Sequence, residues 1–255
     1  MTKISRRQLL SLAAPATIGA AIGLSNTAAF GNSVKNSEEK KMKIFIAGAH
    51  PDDPESACGG LMALYASAGH EVVSAYLTRG EAGIEGKSHD ESAQIRTAEA
   101  LKACSILKVR PVFIGQIDGN CEITREKYTS IFNLIKKEEP DIIITHWPID
   151  THRDHRICSI LVYDAWLNMG RKSALYYFEV MSGHQSQNFA PTDYIDITSV
   201  MKQKHEACFV HASQKPEEWY NLSHGRMEEF RGMEYGCKYA EAFVRHVQSP
   251  RIYLK

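Results

Sequence analysis

Two short stretches carry the side chains that can do chemistry: His50-Pro51-Asp52-Asp53 and His152-Arg153-Asp154-His155. Histidine with aspartate binds a borderline divalent cation such as zinc, and a second adjacent carboxylate can stay free as a proton acceptor. Pro and Asp also make ordinary solvated turns, so the first stretch alone reads either way. The second stretch decides between the readings. His152 and His155 are three apart, so on the first turn of a helix they share a face. Two corners of this kind in one chain argue for a metal site.

The flanking sequence shows what must position them. Residues 44–49 form an apolar run that ends at His50, and a Gly59-Gly60 pair leads into an amphipathic segment: strand, loop, helix. Residues 141–146 (DIIITH) repeat that build ahead of Pro148 and the second corner. Loops at the carboxyl ends of parallel strands are where side chains converge over a sheet edge.

From Met42 the chain alternates throughout. Strands are expected at 44–49, 71–78, 111–114, 141–146 and 174–180, and helices at 55–69, 91–107, 124–139 and 153–169. The helix at 91–107 is expected to present Ile95, Ala98 and Leu101 on one face. In the 124–139 helix, Tyr128, Ile131, Phe132 and Ile135 make an apolar stripe at i, i+3, i+4, i+7. The 153–169 helix is expected to turn Ile157, Ile160, Leu161 and Ala165 inward. Further helical stretches are expected near 200–211 and 227–243. Strand–helix alternation with continuous apolar strands predicts an α/β fold with a parallel sheet covered on both faces.

The motifs resemble those of the PIG-L/LmbE family of zinc-dependent de-N-acetylases. The resemblance rests on Ala49-His-Pro-Asp-Asp53 with Gly59-Gly60 after it, then Leu77-Thr-Arg-Gly-Glu-Ala-Gly83. It continues with Arg96 three residues before Glu99, with His152-x-Asp154-His155, and with His211-Ala-Ser-Gln214. It implies a Rossmann-like three-layer sandwich with a mostly parallel sheet, and hydrolysis of an N-acetyl group on an amino sugar. By the same resemblance His50, Asp53 and His155 are the ligands of Zn2+, with Fe2+ as another candidate ion, and Asp52 is the general base. His152 helps to stabilise the oxyanion, Asp154 orients and charges the His152 imidazole, and Arg96 and Asp118 hold sugar hydroxyls. Glu81 and Glu99 tie loops together or assist. Two residues depart from the pattern. Pro54 stands where the family commonly has Glu, followed by Glu55, and Asp150 stands where mycothiol-type members carry Tyr. His146, Trp147, Trp166 and Trp219 are candidates to line a sugar site, against the commoner core role of aromatic side chains. A sugar-binding protein that does not catalyse, and an amidase on a non-sugar amide, are the other readings of the scaffold.

The 255 residues, 44% hydrophobic, suffice to bury one full core. Thirty Lys and Arg balance 30 Asp and Glu, which gives no reason to expect nucleic acid or an anionic membrane as partner. A nucleotide-binding Rossmann protein is disfavoured because the first loop lacks GxGxxG. Six scattered cysteines form no CxxC pair; Cys104 and Cys158 read as small buried hydrophobes, and a single disulfide stays open. At the N-terminus, Lys3, Arg6 and Arg7 precede an uncharged run and then small residues, the pattern of an export signal over residues 1–31. Ser5–Leu10 resembles the twin-arginine signature. Residues 32–41 read as a polar linker, and 42–255 as a single exported domain, periplasmic or extracellular, without stable membrane insertion.

Overall fold

The computed structural model describes residues 40–255, so the readings of an export signal at 1–31 and of most of the linker lie outside the described residues. Strand β1 (Lys43–Gly48) shows how the layers arise: Ile44 and Ile46 enter one apolar cluster, Phe45 and Ala47 the other. Side chains alternate across a strand, so a strand with no polar position must be covered on both sides.

In chain order the described elements are β1, α1 (Asp53–Ser67), β2 (Glu71–Tyr76), α2 (His89–Leu107), β3 (Arg110–Phe113), α3 (Arg125–Glu138), β4 (Ile142–His146) and α4 (Arg153–Asn168). There follow β5 (Ala174–Phe178), β6 (Asp193–Asp196), α5 (Met201–Phe209), α6 (Pro216–Trp219), α7 (His224–Tyr235) and β7 (Ala240–Arg245). The sheet order is β3-β2-β1-β4-β5-β7-β6. The first five strands pair in parallel, and β7 runs antiparallel between β5 and β6. The apolar sides of α1 and α2 cover one face and those of α3 and α4 the other. The order reverses at β1 and β4, which lie side by side with their loops emptying at the same edge. In open α/β sheets that reversal is where ligands bind.

Three expectations need correction. The face that α2 buries is Ala93, Arg96, Ala100, Ala103, Cys104 and Leu107; Ala98 is exposed, and Leu101 is 48% exposed. A stripe of small residues lets the helix approach closely and carries Arg96 inward. Ile160 of α4 is likewise exposed, because Cys158, Leu161 and Val162 take the inward positions. The helix expected at 227–243 stops at Tyr235. Gly236 adopts φ +92°, a left-handed stop that glycine takes without steric cost, and the chain re-enters the sheet as β7. All six cysteines are free. No described helix is long and apolar enough to cross a membrane.

Candidate active site

The turn after β1 is built around an unusual residue. Asp52 takes φ +109°, which non-glycine residues rarely adopt. Three contacts hold it there. Its N–H donates to Glu55 Oε2 at 3.1 Å, while Arg96 Nη2 donates to Asp52 Oδ2 at 2.9 Å and to the Pro51 carbonyl at 2.5 Å. Glu55 is fully buried and also accepts from the Tyr76 hydroxyl, so the carboxylate displaced by Pro54 serves from the next position as the reciprocal cap of α1. Burial pushes Glu55 up to about 7. Pro54 lies in the first turn of α1, where a missing N–H costs nothing.

Asp52 and Asp53 diverge. Asp53 Oδ2 accepts from the His50 N–H at 2.7 Å and lies 3.2 Å from His50 Nδ1; Asp53 Oδ1 lies 3.4 Å from His155 Nε2. Asp53 thus turns one oxygen toward each histidine, and the described groups whose donor atoms lie within 4.8 Å of one another are His50–His152–His155, Asp53–His146–His155 and His50–Asp118–Asp154. Against the cost of burial, His155 and then His146 hold Asp53 well below the usual carboxylate range. The structure thus brings the three expected ligands together.

Carboxylates stand behind both rings. His50 Nε2 is 3.1 Å from Asp118 Oδ1 and 3.5 Å from Asp154 Oδ2. His155 Nδ1 is 3.3 Å from Asp150 Oδ1. Both nitrogens are buried and lack a well-formed hydrogen bond. A carboxylate behind a ligating histidine fixes the ring and raises its basicity. Against burial, Asp53 and then Asp150 lift His155 to about 9, and the field that favours a proton there favours a metal cation too.

His146 comes within 3.3 Å of Asp53, but its Nε2 already accepts the Ala49 N–H at 2.9 Å. That lone pair is committed, which makes His146 a brace for the loop and a poor fourth ligand. It is fully buried and does not line the cavity.

His152 caps α4: its Nδ1 accepts the Asp154 backbone N–H at 3.3 Å. The proton of the neutral ring therefore sits on Nε2, as an oxyanion donor requires. Burial, then His50 and His155, keep His152 below its usual pKa, so the neutral form prevails. Asp154 holds His152 through its backbone N–H, and its charge acts on that ring, while its carboxylate accepts the Gly119 N–H at 2.8 Å and lies 3.5 Å from His50.

Arg96 and Asp118, expected to hold sugar hydroxyls, both line the cavity and both have partners within the protein. Arg96 is only 3% exposed, with its guanidinium directed at Asp52 and Pro51. It reaches them past Gly80 and Gly83, where a Cβ would stand 2.6 Å and 2.3 Å from the guanidinium. Asp118 is engaged by His50 and by the Ala82 N–H. Both border the cavity, and Arg96 Nε is buried there without a hydrogen-bond partner. Glu81 and Glu99 tie loops: Glu81 accepts from the Arg79 and Asp118 N–H groups, and Glu99 from Ser213.

The cavity over these groups measures about 480 Å³ and is lined by His50, Asp52, His152, Gln214, Trp219 and Met181 among others. Of the tryptophans only Trp219 lines it; Trp166 is fully buried, and Trp147 donates to the Gln187 carbonyl. Asp52 borders the cavity with its carboxylate pushed up to about 6 by burial, against the pull of Arg96. Asp150 is the functional candidate that motif reading passed over. Its signal was its place two residues before His152, and it also accepts the His152 N–H at 2.7 Å.

A doubly wound sheet with a cavity-facing carboxylate beside metal-competent side chains at its reversal point is the frame of a Rossmann-like enzyme with a candidate metal centre. Comparison with known proteins makes the assignment specific. The GlcNAc-PI de-N-acetylase (PIG-L) family model matches residues 45–166. The diacetylchitobiose deacetylase of Thermococcus kodakarensis is 30% identical over 230 residues, 83% of this chain and 85% of that protein. The chain belongs to the PIG-L family, whose members are deacetylases, hydrolases of amide bonds. Among solved structures, N,N'-diacetylchitobiose deacetylase from Pyrococcus horikoshii aligns with a TM-score of 0.72 at 24% identity, covering 86% of this chain and 91% of that one. GalB, the 4-carboxy-2-hydroxymuconate hydratase of Pseudomonas putida KT2440, aligns equally well, at 0.72 and 21% identity over 84% of this chain and 99% of that one. At such identities the likeness speaks to the fold, which by itself leaves the reaction open.

Proposed function

We propose that the protein is a zinc-dependent hydrolase that removes the N-acetyl group from an N-acetylated amino sugar, working outside the cytoplasm. The observation that carries this reading is the divergence of two adjacent aspartates. Asp53 turns one oxygen toward each of His50 and His155, while Asp52, clamped by Arg96, borders the cavity. The 30% identical relative is a diacetylchitobiose deacetylase, which supports an N-acetyl sugar as the substrate class.

In this reading His50, Asp53 and His155 hold the metal, Asp118 and Asp154 steady His50, and Asp150 steadies His155. When bound, the ion supplies Lewis acidity, acidifying water and polarising a carbonyl oxygen. Asp52 accepts a proton from water as its oxygen attacks the acetyl carbon. His152 Nε2–H donates to the carbonyl oxygen as negative charge develops on it. The carbon–nitrogen bond then breaks, and protonated Asp52 returns its proton to the departing amine nitrogen. The products are acetate and the free amino sugar. Arg96 holds Asp52 in its rare backbone conformation and balances the carboxylate's charge before it takes the proton and again once it has returned it.

The test is acetate release by zinc-loaded protein from N-acetylglucosamine, diacetylchitobiose and longer N-acetylated glycans. Acetate and free amine should appear in equal amounts. Metal-replete protein that binds these sugars and releases no acetate from any of them would leave a binding protein instead.

A further inference from the structure

Several buried polar atoms on the cavity wall already have a role. His50 and His155 belong to the candidate metal cluster, and Arg96 clamps Asp52. Two side chains on the same lining remain unassigned. His224 Nδ1 and Gln185 Oε1 are buried, and neither has a hydrogen-bond partner among the described residues. A buried polar atom left unpaired costs free energy, and natural proteins keep few of them. Where its residue borders a cavity, a ligand can supply the missing partner.

His224, 1% exposed, opens α7. Its ring lies 5.7 Å from that of Tyr220, nearly parallel at 28°, and 6.0 Å from that of Trp219. Tyr220 is fixed in turn: its hydroxyl donates to Glu228 at 2.7 Å, and Glu228 pairs with Lys204. A ring needed only to pack there would be better served by phenylalanine, which leaves no nitrogen unpaired. Burial, and then Lys204, push His224 down to about 4, so near neutral pH the imidazole is uncharged and carries one donor and one acceptor. Gln185 is held on both sides by its backbone. Its N–H donates to the Met181 carbonyl at 2.9 Å, and its carbonyl accepts the N–H of Thr151, the neighbour of His152, at 3.1 Å. Its amide also offers donor and acceptor without charge.

A hydroxyl is the ligand group that both donates and accepts while carrying no charge; a phosphate or carboxylate would ask for a cation instead. Trp219 adds an apolar ring, its Nε1 being spent on the Gln214 carbonyl at 2.8 Å. An aromatic surface with a small number of placed polar groups is how a pocket fixes its ligand's orientation. We propose that His224 and Gln185 are specificity-determining residues that bind hydroxyls of the N-acetylated sugar, so that a sugar lacking such a hydroxyl is a poor substrate. The inference rests on the deacetylase reading above and deepens it. The catalytic groups take the acetamido group, and this pair fixes the ring that carries it.

The experiment measures kcat/KM of the zinc-loaded full chain on the methyl glycoside of N-acetylglucosamine and on its 3-deoxy, 4-deoxy and 6-deoxy analogues. Wild type should lose about tenfold or more on at least one analogue, because the polar atoms of the site are then left unpaired. In His224→Phe, which keeps an aromatic ring beside Tyr220, at least one such penalty should shrink to near nothing, and the same holds for Gln185→Leu. Each penalty is a ratio taken within one variant, so a loss of folded protein does not move it. Equal rates on all the sugars in wild type overturn the proposal. A full set of penalties that survives in either variant overturns the assignment of that residue, and survival in both hands the hydroxyls to other groups such as Arg96 and Asp118. Calorimetric titration of Asp52→Asn protein with the same sugars reads the pair without turnover. Absence of acetate from every sugar then counts against the deacetylase reading, and equal affinities for parent and deoxy sugars against the hydroxyl site.

Discussion

Replacing Asp52 by Asn tests the division of labour between the two aspartates. The amide keeps the side-chain volume and an oxygen for Arg96, but it cannot take a proton at neutral pH. Positioned acid–base groups contribute about 10²–10⁴ in rate, a barrier change of roughly 2.7–5.5 kcal/mol. The cost in stability should be smaller. The 2.9 Å Arg96 contact loses its ion-pair character but keeps a charged donor, and hydrogen bonds to charged groups are worth about 1.5–3 kcal/mol, of which much survives. For a domain of this size that lowers Tm by a few degrees, roughly 2–4 °C per kcal/mol, so the variant stays folded at 25 °C. Metal content should stay near wild type, because the ligand spacings belong to His50, Asp53 and His155. The assay is metal analysis and acetate release on the same preparations. Wild-type turnover by a fully metallated Asp52→Asn protein would refute the assignment of the base. Loss of metal in proportion to activity would show that Asp52 is a ligand.

Asp150→Asn should weaken metal binding about 10–100-fold, read by competition with a chelator, because it removes the carboxylate 3.3 Å from His155 Nδ1; unchanged affinity would reduce Asp150 to a loop contact. Lys204→Met should destabilise the fold by about 3–5 kcal/mol in urea titrations, since fully buried Lys204 lies 2.7 Å from both Glu228 and Glu241 and its loss removes the cation that two buried carboxylates share. Against the cost of burial, Lys204 depresses Glu228 to about 2, below its unfolded range near 4.5, so the stability it contributes is present above that range and is lost as pH falls toward 2. The Tm of wild type should accordingly fall more steeply than that of Glu228→Gln between pH 5 and 3, and parallel curves would contradict this. If residues 5–10 are a twin-arginine signal, changing Arg6 and Arg7 together to Lys should strand the precursor in the cytoplasm, as fractionation would show.

Much of the site was legible in the chain because its ingredients are local. An apolar run that ends in His-Pro-Asp-Asp puts those side chains at a strand end wherever the strand lies, and His152 and His155 share a helical face by spacing alone. The same locality explains the failures. Ile95, Ala98 and Leu101 make a plausible face until a stripe of Ala and Cys proves the closer-packing one. Nothing before Gly236 announces that the chain will turn back into the sheet. Only the tertiary structure set β1 beside β4, which brings Ala49 and His146, 97 residues apart, into one hydrogen bond. Only it distributed the carboxylates. Asp118, Asp150 and Asp154 are alike as residue types, and each backs the histidine it comes within 3.1–3.5 Å of. Residue type sets what a side chain can do; the sheet order and the loop backbone decide to whom it does it, because hydrogen bonds weaken steeply beyond such separations.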